Sequence, residues 1–82
     1  MIKFKINVAD ALERAGFNTY KAKKTGLLSQ DTLKKIRNED TNISLKSLNN
    51  LCLILDMEIK DLIKFEADQE ELERVKKLLN KH

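Results

Sequence analysis

Residues 19–38 read TYKAKKTGLLSQDTLKKIRN, and this stretch decides the fold: two short helices joined by a tight turn. The start of the second helix is marked three times. Ser29 is placed to cap free backbone N–H groups, Asp31 falls in the first turn at the positive end of the helix dipole, and Leu28 can pack on Leu33 as a hydrophobic staple. The helix is therefore predicted to begin at Ser29 or Gln30. At about 100° per residue, Leu33 and Ile36 share one face while Asp31, Lys34, Lys35 and Asn38 project from the opposite one. So short a helix, held by two apolar anchors and rich outside in hydrogen-bonding and cationic groups, has the form of one laid against a polyanion.

Composition sets the frame around it. With 82 residues the chain has room for one modest core and none for a large enclosed active site. Hydrophobic residues make up 41%, with three Phe, one Tyr, two Gly and no Pro, which predicts an aliphatic all-α domain with short turns. Cys52 is the only cysteine, so no internal disulfide forms. No apolar run near the start resembles a signal peptide or membrane span, and a cytoplasmic location is expected. The net charge of +3 is unevenly spread: residues 1–48 carry ten Lys or Arg against five Asp or Glu, residues 49–82 six against eight. The basic half contains the helix pair, so the asymmetry fits a phosphate-facing surface as well as an ordinary solvated one.

Taken in order, residues 1–6 (MIKFKI) alternate apolar and basic, a strand pattern, with residues 64–67 as the antiparallel partner, unless the segment is an apolar arm on the bundle. Asn7 caps a first helix over 8–15 whose Val8, Ala11, Leu12 and Ala15 have the spacing of a buried face; Gly16 ends it in a left-handed conformation. A second helix runs from Asn18 or Thr19 through Thr25 on a thin apolar face of Tyr20 and Ala22, continued by Leu27 and Leu28 in the turn. Ile43 and Ser44 repeat the staple and cap before a helix whose Leu45, Leu48, Leu51, Cys52 and Leu55 form the spine of the core, with Cys52 a small buried hydrophobe. Asp56 ends it. Residues 58–65 (EIKDLIKF) follow as a fifth helix with Ile59, Leu62 and Ile63 inward. Asp68 and Glu71 resemble a capping box for the last segment, in which Leu72, Val75, Leu78 and Leu79 line one side. That stripe serves either to cover the domain's own core or as a seam for a second copy.

Five short helices with the helix pair at second and third place resemble the small Cro/repressor-type helix-turn-helix regulators of bacteria and phage. The resemblance rests on TYK, GLLSQDTLKKIRN, the Ile43-Ser44 cap, LNNLC and the Asp61-Leu62 pair, in order and correctly spaced, over about residues 6–65. It implies a five-helix domain over 1–67, with a short N-terminal strand, followed by an additional helix over 68–82 for packing or dimerisation. It further implies that Gln30, Asp31, Thr32, Lys34 and Lys35 meet base edges of double-stranded DNA. Asn18, Thr19, Lys21, Lys24, Ser29, Arg37, Asn38, Thr41 and Asn42 would meet the sugar-phosphate backbone. The side-chain chemistry agrees: Gln bridges the adenine edge, Lys donates to guanine, and a carboxylate accepts from cytosine N4. One departure stands out. Aligned without a gap from Gly16 to Leu33, the family's small residue falls on Lys23 and its turn glycine on Leu27, with Gly26 one place early. Asp31 is the other, since an unpaired carboxylate repels phosphate; it can instead serve the cap or pair with Lys34 or Lys35.

The first reading is a sequence-specific transcriptional regulator, a repressor in type, acting as a symmetric dimer on a palindromic site, with Leu72, Val75, Leu78 and Leu79 as dimerisation candidates. The second is a protein-interaction module of the same fold, of antitoxin or antirepressor type, whose DNA binding is weak. Catalysis is argued against: His82 is the only His and lies at the C-terminus, Cys52 falls on the core stripe, and the paired carboxylates sit where capping explains them. No metal-ligand spacing and no Gly-rich phosphate loop occurs, so no metal and no cofactor is expected.

Overall fold

Side chains that compete with the backbone for hydrogen bonds mark where the helices begin. In the computed structural model, which describes residues 1–80, Asn7 accepts from the Asp10 N–H at 3.0 Å, Asn18 from Lys21 at 2.9 Å, Ser29 from Thr32 at 3.0 Å and Ser44 from Ser47 at 3.0 Å. Each bond satisfies a donor that the first helical turn leaves free. The resulting order is β1 (Ile2–Phe4), α1 (Val8–Arg14), α2 (Thr19–Thr25), α3 (Gln30–Arg37), α4 (Leu45–Leu55), α5 (Ile59–Leu62), β2 (Ile63–Phe65) and α6 (Gln69–Leu79). Lys81 and His82, placed in the last helix and at its frayed end by the sequence reading, lie outside the described residues.

One core joins the first five helices. It consists of Val8, Leu12, Ala22, Leu28, Leu33, Ile36, Leu48, Leu51 and Leu62, with Phe4, Ile6, Phe17, Ile43, Cys52 and Leu55 partly buried around it. Leu28 and Leu33, the two residues of the expected staple, are both buried in this core. Several expected core residues are not. Leu45 is 82% exposed and Ile59 52% exposed; each is the first residue of its helix, where the stripe has run past the edge of the core. Tyr20 is also exposed, leaving Ala22 as the buried residue of α2. Cys52 is half-buried rather than enclosed.

The strands pair antiparallel with Ile2 opposite Phe65, Lys3 opposite Lys64 and Phe4 opposite Ile63. The partner strand thus starts one residue before the segment expected from sequence, and α5 ends at Leu62 rather than running through Phe65. Ile63 leaves the helix because extended backbone lets it pair with Phe4, and a β-branched side chain suits that pleat. Past β2, Glu66 lies 3.4 Å from Lys3 and 2.8 Å from Lys64.

Those two lysines, first through hydrogen bonds and then through their charge, hold the Glu66 carboxyl below its ordinary pKa of 4.5. A carboxylate whose folded pKa is lowered contributes stability that is complete above its unfolded pKa and is lost as pH falls through the folded value. The pairing is exposed, so its contribution is small. Acidification below about pH 4.5 is therefore expected to loosen the sheet. Glu66→Gln should flatten this part of the pH dependence of the melting temperature, and equal acid profiles for the two proteins would contradict the assignment.

α6 stands apart. Asp68 caps it by accepting from the Glu70 N–H at 2.9 Å. The capping box is not closed: the Glu71 carboxylate instead lies 3.1 Å from the Met1 amine. None of its side chains is buried, and α6 is missing from the element pairs in closest contact. The described chain measures 49 × 20 × 19 Å with a radius of gyration of 15.4 Å, against about 12 Å for a compact chain of this length. Its apolar stripe does not cover the domain's own core.

Candidate nucleic-acid interface

α2 ends where its backbone turns left-handed at Gly26, with φ +69, and the Gly26 N–H closes the helix on the Ala22 carbonyl at 2.9 Å. Glycine takes this conformation at little cost, whereas a Cβ there is strained. The buried small residue and the turn glycine of the helix pair are therefore Ala22 and Gly26. Both lie one place before Lys23 and Leu27, where the ungapped count from Gly16 puts them, and Leu27 and Leu28 separate the glycine from the Ser29 cap. In this turn the Leu27 N–H donates to Thr25 Oγ1 at 3.3 Å, and the Leu27 carbonyl accepts from Asn50 Nδ2 of α4 at 2.8 Å.

Asn50 is a positioning residue that the sequence signals only as part of LNNLC; nothing local says that its amide reaches 23 positions back. Asn50→Ala is expected to cost roughly 0.5–1.5 kcal/mol of stability. It should also speed amide hydrogen exchange in residues 26–29 more than in α1. Unchanged exchange in that turn would remove the role.

From the turn, α3 packs on α1 and α2 through Thr32, Leu33 and Ile36, its buried residues. Gln30, Asp31, Lys34 and Asn38 are exposed on the other side, flanked by Arg37 and the half-buried Lys35. Asp31 pairs with Lys35 across one helical turn at 3.3 Å, one of the two partners expected for it. A carboxylate so paired repels a polyanion less than a free one. Lys34 takes part in no ion pair among the described residues and is left to face outward.

Some expected contacts sit differently. Thr32 is 9% exposed, and its hydroxyl oxygen accepts from Ser29 Oγ at 2.9 Å, so it serves the cap inside the helix pair and not a base edge. Ser29 spends its hydroxyl on the same cap. Thr41 donates to the Ile2 carbonyl at 2.9 Å, tying the loop after α3 to β1 rather than presenting its hydrogen to phosphate. Asn18, Thr19, Lys21, Lys24, Asn38 and Asn42 are exposed. The Lys24 ammonium lies 5.8 Å over the Tyr20 ring, which steadies one cation on the edge of α2. Arg37 Nε donates back to the Leu33 carbonyl at 3.3 Å.

An open groove between α1 and α3 is lined by Asp10, Glu13, Phe17, Leu33, Ile36 and Arg37 among others. It brings no nucleophile or general base together with an enclosed space, as chemistry on a small substrate requires. No described group of three or more His, Cys, Asp or Glu is arranged to hold a metal. None of the helices among the described residues is long and apolar enough to cross a membrane.

A capped, polar-faced helix presented by a preceding helix and a glycine turn, on a helical body closed by a two-stranded sheet, defines a helix-turn-helix DNA-binding domain. The family model for the Cro/C1-type HTH DNA-binding domain matches residues 1–68, and the chain belongs to that family, whose members are DNA-binding domains and not enzymes. No curated protein and no solved structure gives a significant match.

Proposed function

We propose that the protein is a sequence-specific transcriptional regulator that inserts α3 into the major groove, two copies occupying a palindromic site. The observation that carries this reading is the outward face of α3. It exposes Gln30, Asp31, Lys34 and Asn38 with no apolar residue among them, on an α-helix, whose diameter of about 10–12 Å fits a major groove about 12 Å wide. Gln30, Lys34 and Lys35 are the base readers, with Asp31 both steering Lys35 and available to a cytosine amine. Asn18, Thr19, Lys21, Lys24, Arg37, Asn38 and Asn42 surround them as phosphate contacts, which fix register rather than read sequence.

The test is selection of bound sequences from a random duplex pool at near-physiological salt, repeated with Gln30→Ala and Lys35→Ala. A palindromic motif is expected, relaxed at particular positions by roughly 1–3 kcal/mol in each variant. If no motif emerges and DNA is held indifferently at low salt alone, the reading gives way to a protein-binding role for the same fold.

A further inference from the structure

The groove beside α1, the stripe on α6 and the outer face of the two-stranded sheet are surfaces that the DNA-facing helix pair leaves unexplained. The last of them is cationic. Phe4 and its cross-strand partner Ile63 pack against the core, so the alternation along β1 turns Lys3 and Lys5 to the outer face. Lys64 stands directly opposite Lys3 and shares that face, and the Lys5 N–H extends the ladder to the Leu62 carbonyl at 2.8 Å. All three lysines are exposed. Like charges set directly opposite one another destabilise a strand pair, so the arrangement is a cost to the sheet itself.

Glu66 shows that two of these cations converge on one point. One of its carboxylate oxygens lies 2.8 Å from Lys64 and the other 3.4 Å from Lys3, so a single anionic group fits between the two ammonium groups. One negative charge leaves that pair of lysines net positive. Lys5 takes part in no ion pair among the described residues, and its ammonium donates to the Lys60 carbonyl at 3.0 Å. The free edge of β1 also borders the loop that follows α3, where Thr41 donates to the Ile2 carbonyl at 2.9 Å, one residue from Lys3. Asn38 and Asn42 lie at the two ends of that same loop.

We propose that the outer face of the sheet is a second phosphate-binding surface, on which Lys3 and Lys64 clasp one phosphate of the DNA flanking the segment read by α3, with Lys5 beside them. A phosphate accepts from both ammonium groups as the Glu66 carboxylate does. Glu66 therefore competes with DNA for the two lysines and holds affinity down. The contact adds to binding strength and register and carries no sequence information. The inference rests on the placement of α3 and its loop on DNA given above, to which it adds the sheet as a further anchor and Glu66 as its brake.

Two variants of the full chain move the binding in opposite directions. Lys3→Gln with Lys64→Gln should make the logarithmic salt dependence of binding to the selected duplex shallower by about 0.9, the value for one phosphate. It should also weaken that binding by on the order of tenfold at near-physiological salt, with the selected motif unchanged. Glu66→Gln frees both lysines and should bind the same duplex more tightly, with a steeper salt dependence, a gain that a damaged fold cannot produce. If the double variant keeps the salt dependence of the parent, or Glu66→Gln binds no more tightly, the proposal is overturned and the lysines serve only to solvate the sheet. Sequence selection separates the two levels. A motif with an unaltered salt dependence refutes only the sheet surface, whereas salt dependences that shift as expected, without any motif, refute only the major-groove reading.

Discussion

Leu51→Ala is expected to lower the unfolding free energy by about 2–5 kcal/mol, more than any substitution on the DNA-facing surface. Leu51 is 0% exposed and lies in α4, which packs on both α1 and α5. Truncation removes three carbons from a site whose walls belong to different helices and cannot all close in. A domain of this length holds only about 4–12 kcal/mol in total, at roughly 0.05–0.15 kcal/mol per residue. The substitution therefore consumes a large part of that margin, and the melting temperature should fall by about 4–8 °C for each kcal/mol of destabilisation. Leu53→Ala supplies the contrast. Leu53 is in the same helix two residues on and is 72% exposed, so its truncation should change stability by no more than about 0.5 kcal/mol. Urea denaturation of the two variants decides the matter, and comparable losses would show that the core does not centre on Leu51. Asn50 stands beside it, so the same helix supports both the core and the turn that aims α3.

The features legible in the sequence are those set locally. Asn7, Asn18, Ser29 and Ser44 announce helix starts because a side-chain oxygen satisfies a donor three residues on, and the polar face of α3 follows from periodicity alone. What escapes depends on neighbours that a sequence does not display. Leu45 and Ile59 belong to apolar stripes, yet they lie at helix starts where no other element buries them. Thr32 looks as available as Gln30, but it falls on the side turned toward α1 and α2, and its hydroxyl is absorbed by Ser29. The one-place offset of the helix pair cannot be resolved from spacing, because Ala22 with Gly26 and Lys23 with Leu27 keep the same separation. Only burial of Ala22 and the left-handed backbone of Gly26 decide between them. Equally, the stripe on α6 reads the same whether it faces a core or a partner, and its exposure is a tertiary fact.

Lys34→Glu is expected to weaken binding to the selected DNA site by on the order of 100-fold at near-physiological salt while leaving the fold intact. Lys34 is exposed at the centre of the outward face of α3 and has no ion-pair partner among the described residues, so its charge is not compensated within the protein. Reversal removes a favourable interaction and sets a second carboxylate next to Asp31, facing phosphate. The local cost is small, since the new glutamate and Asp31 repel across one turn by only about 0.2–0.5 kcal/mol. Affinity measured across a range of salt should then show a shallower dependence, by about 0.9 in the logarithmic slope for each phosphate that the protein no longer neutralises. Lys35→Glu makes an instructive comparison: Lys35 is already held by Asp31 at 3.3 Å, so its reversal should cost more stability than that of Lys34. If Lys34→Glu binds the same site as tightly as the parent, α3 does not face the DNA with this surface. If instead both variants lose affinity without unfolding, and only Lys35→Glu lowers the melting temperature, the division of labour along the helix is established: Lys34 serves the DNA alone, while Lys35 serves the DNA and the helix that carries it.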